Sequence, residues 1–351
     1  MPGSRSSWRA GWAAAGLGAG LVVAACGQVP SLVTAKAPAT SSPTPAAGPG
    51  VVASDGSASR PTAPLTGLPA ASAAAAARPA VALVVAGAHP VGLSSADVVF
   101  EEATAPVRYI AVYQSRQASA VGPITGTQPT DRQALSVLHP LFGYDGSVAP
   151  FFLKSLEKAN LKDVGYANDS SLYHQTTSQG VMVSTAAIMH AGGGKGGAPP
   201  PMFLYRGGGG ALAATGVSRV SSVRVATPGN GTQEWVFDQR ADRWALTGWG
   251  QRIRVANLVV QAVDYKKIGV NRRLGIVVPT ARVIGTGRAE VFSGTAAGKS
   301  GGTAVTGTWS KPKPRDVTNY FDASGALMAF QPGPTWVILA PPGTRVSTGG
   351  K

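Results

Sequence analysis

Arg108-Tyr109-Ile110-Ala111-Val112-Tyr113-Gln114-Ser115 is the clearest strand in the chain. Alternation puts Tyr109, Ala111 and Tyr113 on one face and Ile110 and Val112 on the other. Working outward, Ala80–Ala86 (AVALVVA) reads as a buried strand opened by Arg78-Pro79, and Asp97–Glu101 (DVVFE) as a second. Folded sequence starts near Pro64-Leu65-Thr66-Gly67-Leu68-Pro69, and residues 71–77 read as a loose insertion or a short helix. A helix is expected over Asp131–Leu138, capped by Thr130 and stopped by Pro140. A short strand follows at Leu141–Tyr144, a helix at Val148–Asn160, and a helix at Thr185–His190 between Ser184 and Gly192. Strands mixed with helices imply an α/β layer for residues 65–206.

Gly192–Gly216 is rich in Gly and Pro and reads as a loop at a domain boundary, with residues 207–218 as linker. No helix with Lys-Ser/Thr follows those glycines, so they do not make a phosphate-binding loop. From Ser221 the period changes to short strands: Val223–Val225, Glu234–Asp238, Arg243–Leu246, Ile253–Asp264, Ala281–Ile284, Ala289–Phe292, Thr303–Lys311, Thr318–Phe321, Leu327–Phe330 and Trp336–Leu339. Asp322-Ala323-Ser324-Gly325 is a hairpin signal. The fold class is therefore α+β: an α/β layer domain, then a mainly antiparallel sheet domain over residues 219–345, with 346–351 as a tail.

The 351 residues suffice for about two domains. A hydrophobic fraction of 44% argues against wholesale disorder. The net charge of +15 is uneven. Residues 65–218 hold 9 basic and 8 acidic side chains, whereas residues 219–351 hold 18 basic and 7 acidic. Such an excess either keeps a protein soluble or faces an anionic polymer or anionic lipid headgroups. No helix-turn-helix, zinc-finger or aromatic RNA-binding signature accompanies it, so nucleic acid is not an expected partner.

The N-terminus reads as an address. Arg5 and Arg9 precede an apolar, small-residue run over residues 10–25, ending in Val23-Ala24-Ala25-Cys26. Sixteen apolar residues fit a signal-peptide core better than a membrane span, which needs about 20. The Val-Ala-Ala-Cys run resembles a bacterial lipobox, with Cys26 receiving diacylglycerol. An ordinary signal peptide with an incidental cysteine is the rival, and it is disfavoured because Cys26 is the only cysteine. Residues 1–25 are thus expected to be a signal peptide and 26–64 a lipidated, disordered Ser/Thr/Ala/Pro tether. The expected location is the outer face of the bacterial cytoplasmic membrane.

The order of motifs resembles the YerB-like lipoprotein family, a pair of adjacent bacterial domains of unknown function. The matching stretches in the first region are Pro64–Pro69, Arg78–Ala82, Leu93–Glu101, Arg108–Tyr113 and Val121-Gly122-Pro123. In the second they are Ala256–Gln261, Gly307–Lys311 and Pro332–Trp336. After Val-Gly-Pro the family usually shows an Arg-Ser-x-Arg run. This chain has Thr125-Gly126-Thr127-Gln128, without those two cations. The resemblance implies fold and location and no reaction.

Candidate site residues fall into two sets. Arg108, Gln128, Asn257, Gln261, Trp309 and Lys311 are candidate ligand contacts. Asn257 and Gln261 share a strand face and as buried amides would bond backbone, while Trp309 is a sheet anchor unless it presents a sugar-binding face with Lys311. Asp97, Asp145 and His174 are candidates for catalysis. Asp97 and Glu101 would lie about 13 Å apart on one strand, too far for a glycosidase pair, and Asp97, Glu101 and Glu102 read as strand-end charges paired with Arg108 or Arg78. Asp145 or Ser147 reads as a helix cap, and His174 as a loop base or a backbone-bonded imidazole. The histidines lack metal-site spacing, and no cofactor is implied. Two functions follow: a non-enzymatic binding or assembly factor meeting wall polymer, anionic lipid or an envelope enzyme, or a wall-acting hydrolase or transferase with an inter-domain cleft.

Overall fold

The computed structural model describes residues 60–147, 149–207, 214–250, 252–271, 275–295 and 301–350. Cys26, the expected signal peptide and the tether up to residue 59 lie outside them. Within the first region the strands are β1 (Val81–Ala86), β2 (Val98–Glu102), β3 (Arg108–Tyr113), β4 (Leu141–Gly143), β5 (Lys162–Asp163), β6 (Tyr173–Thr176) and β7 (Gly180–Val183). Its helices are α1 (Ala73–Ala76), α2 (Pro129–Leu135), α3 (Pro150–Leu156) and α4 (Thr185–Ala191). The second region supplies β8 (Ser218–Val220), β9 (Ser222–Thr227), β10 (Gly231–Asp238), β11 (Arg243–Leu246), β12 (Arg254–Val255), β13 (Asn257–Ala262) and β14 (Tyr265–Asn271). It continues with β15 (Ile276–Ala281), β16 (Gly285–Ser293), β17 (Gly302–Lys311), β18 (Asn319–Phe321), β19 (Thr335–Ala340) and β20 (Arg345–Gly349).

One 11-stranded sheet joins the two regions in the order β18-β17-β16-β13-β19-β2-β3-β1-β4-β5, with β8 on the end of β17. The seam is β19, which runs parallel to β13 on one side and to β2 on the other. The division at residues 207–218 is therefore one of the chain, not of the sheet. A five-stranded sheet, β12-β11-β10-β9-β20, covers one face of the large sheet near this seam.

Both faces of the large sheet are covered, which is why its strands read as unbroken apolar runs. Val81, Leu83 and Val85 of β1 join Tyr109, Leu258 and Trp336 on one side, packed against Trp235 and Trp244 of the small sheet. Ala82 and Val84 join Ile110, Val112, Val259 and Val337 on the other, packed against Leu135 of α2 and Phe203. Trp336 touches Trp235 with ring centroids 5.6 Å apart, tying the two sheets together. The β14–β15 hairpin stands apart, with Val278 packed on Phe152 of α3.

Several boundaries shift from those read in the sequence. The second helix starts at Pro129, because Asp131 accepts from the Gln128 N–H at 2.8 Å and closes the first turn there. The third is shorter than expected, about two turns over Pro150–Leu156; neither Asp145 nor Ser147 caps it, and the Ser147 hydroxyl donates to the Thr127 carbonyl at 3.0 Å. Of the expected strands Ala281–Ile284 and Leu327–Phe330 neither forms, Ala281 instead ending the strand Ile276–Ala281. Residues 345–349, which run from the last residue of the expected sheet domain into the expected tail, pair with β9 as a strand. Ser218, placed in the linker, belongs to β8, and Thr62 already pairs with Pro69 ahead of the expected end of the tether. The fourth helix keeps its expected ends: the Ser184 hydroxyl accepts from Ala187 N–H at 3.1 Å and Gly192 closes it.

Candidate functional site

Three of the family-like stretches meet at one end of the large sheet. The Gly333 N–H donates to the Thr66 carbonyl at 2.7 Å, joining Pro64–Pro69 to Pro332–Pro334. Gly67 sits at φ +64°, and a Cβ there would lie 2.4 Å from the Tyr205 ring. Only glycine permits that approach. Gly333, at φ +142°, has its missing Cβ 2.6 Å from Ala256 and 3.2 Å from the Arg243 guanidinium. The backbone thus closes around a pocket of about 470 Å³.

Four arginines line it, Arg78, Arg116, Arg243 and Arg254, and no carboxylate does. Arg78 precedes β1 and Arg116 follows β3, two neighbouring strands of the large sheet. Arg243 opens β11 and Arg254 opens β12, an adjacent pair in the small sheet. Arg78 donates to the carbonyls of Ala75 at 3.3 Å and Ser115 at 3.2 Å. Arg116 donates to Ala96 at 3.3 Å. Arg243 donates to Asp242 at 2.9 Å and Pro332 at 3.5 Å, and burial pulls its pKa down against the field of Asp242. These partners are neutral carbonyls, which fix direction without cancelling charge. Only Arg254 has a carboxylate, Asp238 at 3.0 Å. Among the described residues Arg78, Arg116 and Arg243 are in no salt bridge.

Asp97 lies beneath this pocket, fully buried. It accepts from the N–H groups of Gln114 at 2.6 Å and Ser115 at 2.7 Å, and from the Ser115 hydroxyl. Burial pushes its pKa up, and those donors together with Arg116 pull it back. Its work is to hold the Gln114–Arg116 corner. Asp145 and His174 lie elsewhere: the Asp145 N–H donates to Thr125 at 2.9 Å, and the His174 ring is exposed on β6. No hydrogen bond joins any two of these three.

Arg108 is buried in the large sheet and bridges two buried carboxylates, Glu102 and Asp131. Burial alone would lower its pKa, but the two carboxylates raise it. Glu102 is pushed up by burial and by Asp131 while Arg108 pulls it down. Glu101 pairs with neither arginine proposed for it. It accepts from Gln233 of the small sheet at 2.6 Å and Trp336 at 2.8 Å.

The second-region candidates are also interior. Asn257 donates to the Gln331 carbonyl at 2.9 Å and accepts from Ser293 at 2.7 Å. Gln261 accepts from the Tyr320 hydroxyl at 2.7 Å. Trp309 donates to the Ala262 carbonyl at 2.8 Å and is 2% exposed, so it presents no stacking face. Lys311, equally buried, donates to the Asp316 carbonyl, and burial pushes its pKa down to about 8. Gln128 sits at the start of α2, tied through its N–H to Asp131. The sequence offered no sign that residues 78, 116, 243 and 254 would meet. They come from two sheets that pack face to face, a tertiary contact that no local pattern announces.

Among the described residues, no cluster of three or more His, Cys, Asp or Glu is placed to hold a metal. No helix among them is long and apolar enough to cross a membrane.

Family models for a protein of unknown function match the chain twice, the DUF3048 N-terminal domain over residues 65–191 and the DUF3048 C-terminal domain over 223–337. The chain belongs to the DUF3048 family. Its fold is similar to the crystal structure of the YerB protein from Bacillus subtilis, with a TM-score of 0.65 and 21% identity over 82% of this chain and 99% of that one. No curated protein matches. Within this DUF3048 chain the pocket draws Arg78 and Arg116 from the N-terminal match and Arg243 and Arg254 from the C-terminal match.

Proposed function

We propose that this DUF3048 protein is a non-catalytic binding factor of the cell envelope. It is held outside the membrane through Cys26 and engages an anionic wall polymer. The observation that carries the reading is the pocket lined by four arginines and no carboxylate. Three of them, Arg78, Arg116 and Arg243, are bonded only to carbonyls and can attract an anion without first giving up an ion pair. A recess also suits the end or a single group of a polymer better than a flat bilayer. The separate placement of Asp97, Asp145 and His174 favours binding over hydrolysis.

The test is co-sedimentation of the full-length chain with purified cell wall at rising salt. Binding that weakens as salt screens the arginines supports the proposal, and absence of binding at every salt concentration refutes it. For the anchor, Cys26→Ala is expected to move the protein from the membrane fraction to the soluble one. Unchanged membrane retention would refute lipidation.

A further inference from the structure

We infer that the arginine pocket recognises a phosphate ester rather than a lone carboxylate; this rests on the anion-binding reading above and names its ligand class. Each guanidinium carries five N–H donors in a planar fork. Bonds to the protein use two donors of Arg78, one of Arg116 and two of Arg243. Most donors on three cations are therefore left for a ligand. A carboxylate has two oxygens in one plane and one negative charge, enough for one bidentate fork. A phosphate ester offers oxygens in three dimensions and up to about two charges, so it serves more than one fork at once.

The rest of the wall fits the organic part of such an ester. Leu68, Pro69, Ala70 and Pro334 line the same cavity as the arginines. Its volume, about 470 Å³, leaves room beside a phosphate for a small polyol or sugar. The carbonyl contacts that aim Arg78 and Arg243 also restrict them before a ligand arrives, which lowers the entropy lost on binding.

The experiment titrates the full-length chain with inorganic phosphate, glycerol 1-phosphate and acetate by calorimetry at constant ionic strength. The two phosphates are expected to bind at least about tenfold more tightly than acetate, the scale of one charge-assisted hydrogen bond. Arg78→Gln with Arg243→Gln is expected to weaken phosphate by a similar factor or more. Arg288→Gln, whose partner is Glu290 outside this pocket, is expected to leave it unchanged. Should the double variant fail to fold, Arg116→Ala reads the same interaction, because that side chain is exposed and makes one carbonyl contact. Equal affinity for acetate, or phosphate binding that survives these pocket substitutions, overturns the inference.

Two further arms separate the sources. Glycerol 1-phosphate is expected to displace the chain from wall, and Cys26→Ala protein is expected to bind wall better than phosphatidylglycerol vesicles. Salt-dependent wall binding that glycerol 1-phosphate cannot compete overturns the phosphate inference and leaves the envelope reading standing. Phosphate binding without wall binding does the reverse. Preference for vesicles identifies a lipid headgroup as the source of the phosphate and refutes the wall polymer.

Discussion

Arg108 shows what a buried charge does in this molecule. It sits between Glu102 and Asp131 with all three side chains inside the sheet. Removing the cation leaves two carboxylates close together without a counter-charge. Arg108→Met is therefore expected to destabilise the fold by about 3–5 kcal/mol, read by chemical denaturation. Lys311 gives a pH signature. Its pKa in the folded chain is about 8, below its ordinary value of 10.5. Between those values the unfolded chain binds more protons, so this residue makes stability rise with pH from about 8 to 10.5. Thermal unfolding of Lys311→Met compared with the parent at both ends of that window is expected to show the rise reduced. Arg108, Asn257, Gln261, Trp309 and Lys311 were candidate ligand contacts and all are interior, Asn257 as a buried amide on backbone and Trp309 as a sheet anchor, the other roles the sequence offered them. Alternation tells which side chains share a face but not whether that face is covered. Here both faces of the sheet are covered, so polar residues on either side became interior bonds.

Among the elements, legibility follows the range of the forces that form them. The ends of α4 were plain because Ser184 and Gly192 act within one turn, and Ser184→Ala is expected to cost about 1 kcal/mol by denaturation. The turn at Asp322 was equally plain. Its carboxylate accepts from the N–H groups of Ser324 at 2.9 Å and Ala326 at 3.0 Å, a closure written within five residues. Strand order was not legible. Trp336–Leu339 read correctly as a strand, yet nothing local says that it lies parallel between β13 and β2. Trp336 is the side chain that uses this position, touching Tyr109 and Trp235 and donating to Glu101. Trp336→Ala is expected to cost about 3–5 kcal/mol, with both regions losing structure in one transition. Two separate transitions would contradict a shared sheet. The strand at 345–349 was missed because its polar, half-exposed residues carry no apolar alternation. β9 recruits it through backbone pairing, with Val346 packed against the core.

For the whole molecule, the uneven charge of the sequence acquires a place. The excess lies after residue 218, but the pocket takes two arginines from each region. Composition showed a basic second region; the packing of the two sheets brings Arg78 and Arg116 of the nearly neutral first region into the same pocket. Asp97, first considered for catalysis, holds the corner from which Arg116 projects. The central claim is that these arginines bind an anionic wall polymer. It is tested most directly by co-sedimenting the full-length chain, and its Arg78→Gln, Arg243→Gln variant, with purified wall from about 0.05 to about 0.5 M salt, a range over which the screening length shortens several-fold. The account predicts strong binding of the parent at low salt, progressive loss as salt rises, and much weaker binding of the folded variant throughout. Binding by the variant equal to that of the parent across this range would contradict it.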